Sequence, residues 1–208
     1  MTCGFKHVKL WTKNKGTMCK VPGKWDPMVN IVHWNNKFVS GGSSGSIYLW
    51  SGTTGIASKG HEGRVDCLSV DSQDNLYSGC SAGLILKWKY SGGKLIPDQK
   101  IAHLSEIDKF SPGILSLDFS PQNYLVCTNS SSIYEIPKNE PVSESKVLLQ
   151  SHYLDELWAE SWSPDSQKFV TGGDDKTVRI YDANTFEMLH SCEFKDRIRG
   201  IDWEKSNG

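Results

Sequence analysis

Short runs in which apolar and polar residues alternate recur along this chain. Val65-Asp66-Cys67-Leu68-Ser69-Val70 and Ile114-Leu115-Ser116-Leu117-Asp118-Phe119 keep a period of two, as do Lys168-Phe169-Val170-Thr171 and Thr177-Val178-Arg179-Ile180-Tyr181. That period belongs to β-strands. Ser120-Pro121-Gln122-Asn123 and Ser163-Pro164-Asp165-Ser166 each join two such runs, with proline presetting φ at the second turn position. Gly172-Gly173-Asp174-Asp175-Lys176 predicts a tight turn before a closing strand. No segment of ten or more residues has the helical period. Glu156-Leu157-Trp158-Ala159-Glu160 has some helix propensity, but its place in the pattern predicts a strand. The expected fold class is all-β.

The runs form a repeat. A cluster of small residues precedes a β-rich run that ends in an aromatic: Thr2-Cys3-Gly4 to Trp11, Ser40-Gly41-Gly42 to Trp50, Ser78-Gly79-Cys80 to Trp88, a degraded Cys127-Thr128-Asn129 to Tyr134, and Thr171-Gly172-Gly173 to Tyr181. The closing aromatics lie 39, 38, 46 and 47 residues apart. A four-stranded propeller blade repeats at about 40–45 residues. Insertions near 91–113 and 137–151 explain the two longer gaps. The chain reads as one β-propeller segment over 1–208, with about four blades and a half-blade at each end. The first half-blade covers 2–11; the partial blade at 190–208 contains Ile198-Arg199-Gly200-Ile201-Asp202-Trp203. Joining the halves would make five blades, so the chain is expected to be a fragment of a larger propeller.

Composition narrows the class. The 208 residues are 38% hydrophobic and 23% charged, ordinary for a soluble domain, and the net charge is −1. No global field favours nucleic acid or an anionic membrane. No apolar run approaches the ~18 residues of a spanning helix, and the N-terminus lacks the apolar core of a signal peptide. A cytoplasmic chain is expected. The six cysteines form no C-x-x-C pair and are read as reduced, buried thiols.

Between 152 and 182 the residues resemble the WD-repeat family. His152 stands in the Gly-His position, with Ser151 replacing the glycine. Thr171 lies on the second strand, Asp175 in the turn, and Tyr181-Asp182 where Trp-Asp is usual. The resemblance implies a hydrogen-bonded tetrad of His152, Thr171, Asp175 and Tyr181. It also implies a partial tetrad of His61, Ser78 and Trp88, in which Ala82 replaces the aspartate. A buried carboxylate needs donors, and imidazole, hydroxyl and aromatic N–H or O–H groups supply them. Two further segments, Thr2-Cys3-Gly4-Phe5-Lys6-His7-Val8-Lys9-Leu10-Trp11 and His152-Tyr153-Leu154-Asp155-Glu156-Leu157-Trp158, resemble blade motifs of the echinoderm microtubule-associated protein-like family. That resemblance implies a scaffold associated with tubulin and microtubules, in the cytoskeleton or in a cilium or flagellum.

Catalytic and metal signatures are absent from the sequence. No two histidines sit at i,i+4 and no cysteine pair has zinc spacing. No nucleophile elbow, P-loop or dinucleotide fingerprint occurs. The reading is a non-catalytic binding scaffold without cofactor or metal, whose partners are tubulin or other proteins rather than nucleic acid or membrane. A general WD scaffold of another complex is the alternative; a propeller enzyme is the alternative from a different class. Residues 1–25 hold Lys6, Lys9, Lys13, Lys15, Lys20 and Lys24 and no acid. They form a candidate strip for an acidic partner such as the tubulin surface, or else a solvated edge that deters strand pairing. Trp25 and Trp34 have no place in the repeat and are candidate exposed anchors.

Overall fold

The computed structural model describes residues 1–204 except 5, 6, 14, 22, 25, 110 and 153–155. Among the described residues nineteen strands form five sheets, each pairing consecutive strands. The first sheet has three strands, β1 (Thr2–Gly4), β2 (His7–Thr12) and β3 (Lys15–Met18). The second holds β4 (Met28–Trp34), β5 (Lys37–Gly42), β6 (Ser46–Ser51) and β7 (Thr54–Lys59). The third holds β8 (Val65–Val70), β9 (Leu76–Cys80), β10 (Leu84–Ser91) and β11 (Lys94–His103). The fourth holds β12 (Ile114–Phe119), β13 (Asn123–Thr128), β14 (Ser132–Pro137) and β15 (Lys146–Gln150). The fifth holds β16 (Leu157–Trp162), β17 (Lys168–Gly173), β18 (Thr177–Asp182) and β19 (Met188–Glu193). Helical backbone is confined, among the described residues, to two single 3₁₀ turns at Leu104–Glu106 and Val142–Glu144.

The chain divides into two compact units, Met1–Leu148 and Leu149–Gly208. Within the first, the leading strands β1, β4, β8 and β12 pack each on the next. Both faces of a sheet are therefore covered. Tyr48 and Trp50 join Val8, Cys19 and Met28 in one core layer, while their alternate neighbours Ile47 and Leu49 join Leu68, Leu86 and Trp88 in the next. A third layer gathers Tyr77, Ile85, Leu117, Tyr124, Val126 and Ile136. Burial of each such side chain contributes roughly 1.5–3 kcal/mol.

The small-residue clusters follow from this stacking. A Cβ added at Gly41 would lie 2.7 Å from Val65, and one at Gly79 2.6 Å from Ile114. Val65 and Ile114 are the residues that open the following sheets. In the second unit the same space at Gly172 is taken by Ile198, at 2.4 Å. The middle glycine thus admits the first residue of the next segment.

Several sequence expectations shift. Pairing of Ser78 with Leu86 and Leu76 with Trp88 in the third sheet corresponds to Val126 with Tyr134 and Tyr124 with Ile136 in the fourth. Ile136, not Tyr134, holds the closing position there. The insertion near 91–113 is largely the ten-residue strand β11, bent by two bulges. Residues 190–193 belong to the outer strand β19 rather than opening a new blade. No strand occurs at 196–203 among the described residues, although Ile198 donates its N–H to Gly173 and Trp203 its indole to the Ser161 carbonyl.

Candidate functional site

Each of the four complete sheets carries a polar lock from the segment ahead of its first strand, to the turn joining its second and third strands in three of them and to the second strand in the third sheet. The turn has one geometry, with a positive φ at Gly45, Gly83, Ser131 and Lys176. The residue before each of these is Ser44, Ala82, Ser130 or Asp175.

In the fifth sheet the turn supplies the acid. His152 Nδ1 lies 2.8 Å from Asp175 Oδ1, and its Nε2 2.8 Å from the Thr171 hydroxyl. Thr177 donates its hydroxyl (2.9 Å) and its N–H (3.1 Å) to Asp175, and Arg179 adds Nη2 at 3.3 Å. Burial pushes the Asp175 carboxyl up, but donors from His152 and Thr177 outweigh it and hold it below the usual carboxylate value. Tyr181 stands apart from the expected tetrad. Its hydroxyl donates to the Gln150 carbonyl at 3.4 Å, because phenol reaches further and in another direction than indole N–H. Arg179, fully buried, takes a place beside the carboxylate instead.

The third sheet lacks the acid. Trp88 Nε1 donates to Ser78 at 2.7 Å, and Ser78 lies 2.6 Å from His61 Nε2. His61 Nδ1 is a buried atom with no hydrogen-bond partner among the described residues. Burial, with a smaller contribution from Lys59, brings the imidazole down to about 4. Ala82→Asp is expected to give Nδ1 the acceptor that Asp175 gives His152. A gain of about 1–2 kcal/mol in denaturant unfolding is expected; an unchanged midpoint would mean that the turn does not reach the imidazole.

In the second and fourth sheets the acid has moved to the other side of the lock. Asp26, ahead of β4, accepts from Ser43 Oγ (2.8 Å), Ser44 N–H (2.9 Å), Ser44 Oγ (2.5 Å) and Tyr48 OH (3.0 Å). Asp108, ahead of β12, accepts from Thr128 Oγ1 at 3.1 Å and from Ser130 Oγ. Burial raises the Asp26 carboxyl, but its donors outweigh that and lower it overall; burial and the facing Asp26 push the Tyr48 phenol up to about 12. Neither aspartate stands at a tetrad position of the repeat. The usable signal was a turn serine paired with an acid a few residues ahead of a first strand.

A second recurring bond ties the closing tryptophan to the small cluster. Trp11, Trp50 and Trp88 donate to Thr2, Ser40 and Ser78 at 2.9, 2.9 and 2.7 Å. Trp50 and Trp88 are 2% exposed, against 54% for Trp11.

A family model described as "WD domain, G-beta repeat" matches residues 143–182. That segment matches a WD repeat. Echinoderm microtubule-associated protein-like 2 of Homo sapiens is 24% identical over 224 residues, covering 99% of this chain and 32% of its own length. The 77 kDa echinoderm microtubule-associated protein of Strongylocentrotus purpuratus is 24% identical over 219 residues, covering 99% and 30%. The ciliary WD repeat-containing protein ctxp80 of Euplotoides octocarinatus is 26% identical over 193 residues, covering 87% and 25%. The chain thus spans at most about a third of the length of these three relatives. Among solved structures, the WD40 β-propeller domain of Doa1 aligns with a TM-score of 0.46 at 15% identity, covering 91% of this chain and 61% of that one.

The candidate partner-binding residues scatter. Lys9 on β2 faces the same way as Trp11 and lies 5.9 Å from its ring, whereas Lys15 pairs with Thr12 on the opposite face. Lys13, Lys15, Lys20 and Lys24 are exposed. Lys6 and Trp25 lie outside the described residues. Trp34 is not an exposed anchor: it is buried, and its indole donates to the Asp74 carbonyl at 2.7 Å, across to the third sheet. The cysteines are all free; Cys19, Cys67 and Cys80 are buried, the other three partly exposed. Among the described residues no group of three or more His, Cys, Asp or Glu could hold a metal ion, and no helix is long and apolar enough to cross a membrane.

Proposed function

We propose that this chain is the propeller segment of a microtubule-associated scaffold that binds tubulin through loops and blade faces, without catalysis. The observation that carries this reading is the match over 99% of the chain to proteins named for microtubule association. A similar protein named as a ciliary WD-repeat protein supports a cilium as a further setting. The polar clusters support a structural rather than a chemical role. His152–Asp175–Thr171 and Asp26–Ser44–Tyr48 resemble catalytic arrangements in composition, but the carboxylate of each is buried and its acceptors are occupied by donors of its own blade.

The exposed lysines of the first unit supply long-range attraction to an acidic lattice. Co-sedimentation with stabilised microtubules across a salt series tests this. The folded chain is expected to pellet at low salt and to be released as salt rises. Charge reversal at Lys13, Lys15, Lys20 and Lys24 is expected to weaken binding at least about tenfold. A folded chain that stays in the supernatant at low salt would overturn the reading.

A further inference from the structure

We infer that the first two sheets form one cationic surface, free of exposed acids, that binds a flexible acidic segment of a partner protein. Residues 1–61 contain eight lysines, no arginine and a single acid, Asp26. Asp26 is buried in its lock, with both oxygens occupied by Ser43, Ser44 and Tyr48. The next acid along the chain is Glu62, just ahead of the third sheet. Residues 62–208 hold 15 basic and 23 acidic side chains. The net charge of −1 therefore conceals a segregation, +7 over 1–61 and −8 over the rest. Both sheets lie in the first unit, where β1 packs on β4. Lys13, Lys15, Lys20, Lys24 and Lys59 are exposed, and Lys9 and Lys37 partly so. Among the described residues none of these seven forms an ion pair. Lys9 lies over the Trp11 ring and Lys59 donates to the Ser44 carbonyl, neutral partners that leave the charge intact.

Three features select the partner. The planar fork that suits bidentate phosphate recognition belongs to arginine, which is missing from 1–61, whereas a lysine ammonium is a point charge on a rotatable stem. Stacking of bases needs open aromatic faces, but Trp34, Tyr48 and Trp50 are buried and Trp11 has Lys9 over its ring. The lysines also face different ways. Lys9 and Lys15 sit on opposite faces of the β2–β3 hairpin, and Lys37 and Lys59 stand at strand ends of the second sheet. A rigid acidic surface meets one face at a time. A chain without fixed structure bends to meet both. A segment rich in Asp and Glu fits, because its carboxylates accept charge-assisted hydrogen bonds from ammonium groups, and the net negative remainder of the chain repels it from other sites.

The inference rests on the microtubule reading, whose lysines it shares, and names the kind of segment they hold. The probe is a fluorescein-labelled decapeptide of glutamate, titrated by anisotropy at low salt. Beside it stand a serine–glycine decapeptide, a single-stranded decanucleotide, and vesicles of equimolar phosphatidylserine and phosphatidylcholine. Saturable binding of the glutamate peptide is expected, tighter than of the other three and released by salt. Lys9→Gln and Lys15→Gln are each expected to weaken it about two- to threefold, although they lie on opposite faces, and Lys37→Gln with Lys59→Gln by a similar factor. Lys94→Gln in the third sheet and Lys168→Gln in the second unit are expected to leave it unchanged. Unfolding midpoints confirm that each variant is folded. Loss confined to one face of the hairpin, equal loss from Lys94→Gln or Lys168→Gln, preference for the oligonucleotide or the vesicles, or no saturable binding would each overturn the inference. Pelleting with microtubules by a chain that ignores the peptide would sink this inference and spare the microtubule reading. Peptide binding by a chain that fails to pellet would do the reverse.

Discussion

Lowering the pH from 6.5 to 4 is expected to remove about 3 kcal/mol of folding stability through His61 alone. Its imidazole is 1% exposed and its pKa falls to about 4, with burial as the main cause and Lys59 as the second. In the unfolded chain histidine titrates near 6.5. Between those two values the unfolded state binds the extra proton and the folded state does not, so stability falls as the pH falls. Each pH unit of separation is worth about 1.4 kcal/mol. Urea unfolding at pH 7, 5.5 and 4.5 reads this out. His61→Gln, which can still accept from Ser78, is expected to flatten the slope over that window. Ala82→Asp is expected to shrink it as well, because a carboxylate beside Nδ1 favours the imidazolium. An equal slope in all three proteins would place the acid sensitivity elsewhere. A separate loss follows below about pH 4: Asp26 and Asp175 have lowered pKa values, so their contribution is present above the ordinary aspartate value and is lost as the pH falls through the folded one.

Asp26→Ala is expected to cost about 3 kcal/mol by chemical denaturation. The carboxylate accepts four hydrogen bonds, from Ser43, Ser44 and Tyr48. Hydrogen bonds to a charged group contribute about 1.5–3 kcal/mol each in context, and their losses are not additive. Truncation strands the Tyr48 hydroxyl in a residue that is 4% exposed. It also frees the turn that carries Gly45, whose N–H and carbonyl bond to Gly42 and His61. Asp26→Asn, which keeps one acceptor oxygen, is expected to lose roughly half as much. A change below about 0.5 kcal/mol for the alanine variant would show that water replaces the carboxylate at little cost.

The repeat was legible because stacking forces it. Only a small residue fits where Gly41, Gly79 and Gly172 meet the next segment, and a hydroxyl must stand ten residues ahead of Trp50 and Trp88 to receive the indole. Where those constraints relax, legibility fails. The fourth sheet has Cys127 and Val126 at these places and aliphatic Ile136 at the close, so an aromatic two residues early drew the register to Tyr134. The acids at 26 and 108 were hidden for a different reason. A turn aspartate has a fixed spacing to its closing aromatic, whereas Asp26 lies two residues ahead of Met28 and Asp108 six ahead of Ile114. Loops reach one point in space by several lengths. Trp34 had no period to assign it; its burial comes from the apolar layer it shares with Val39, Leu68 and Leu76, with the Asp74 carbonyl taking its indole N–H. The lysine strip reads as continuous in sequence, but a period of two sends Lys9 and Lys15 to opposite faces.

That a carboxylate, from the turn or from the segment ahead of the first strand, holds the second, fourth and fifth sheets is tested most directly by a double-mutant cycle. Asp26→Ala, Ser44→Ala and the pair are unfolded in denaturant under one condition. If the two residues act as one lock, the double variant loses little more than Asp26→Ala alone, and the coupling exceeds about 1 kcal/mol. Losses that simply add would contradict it and leave Asp26 as an isolated buried acid.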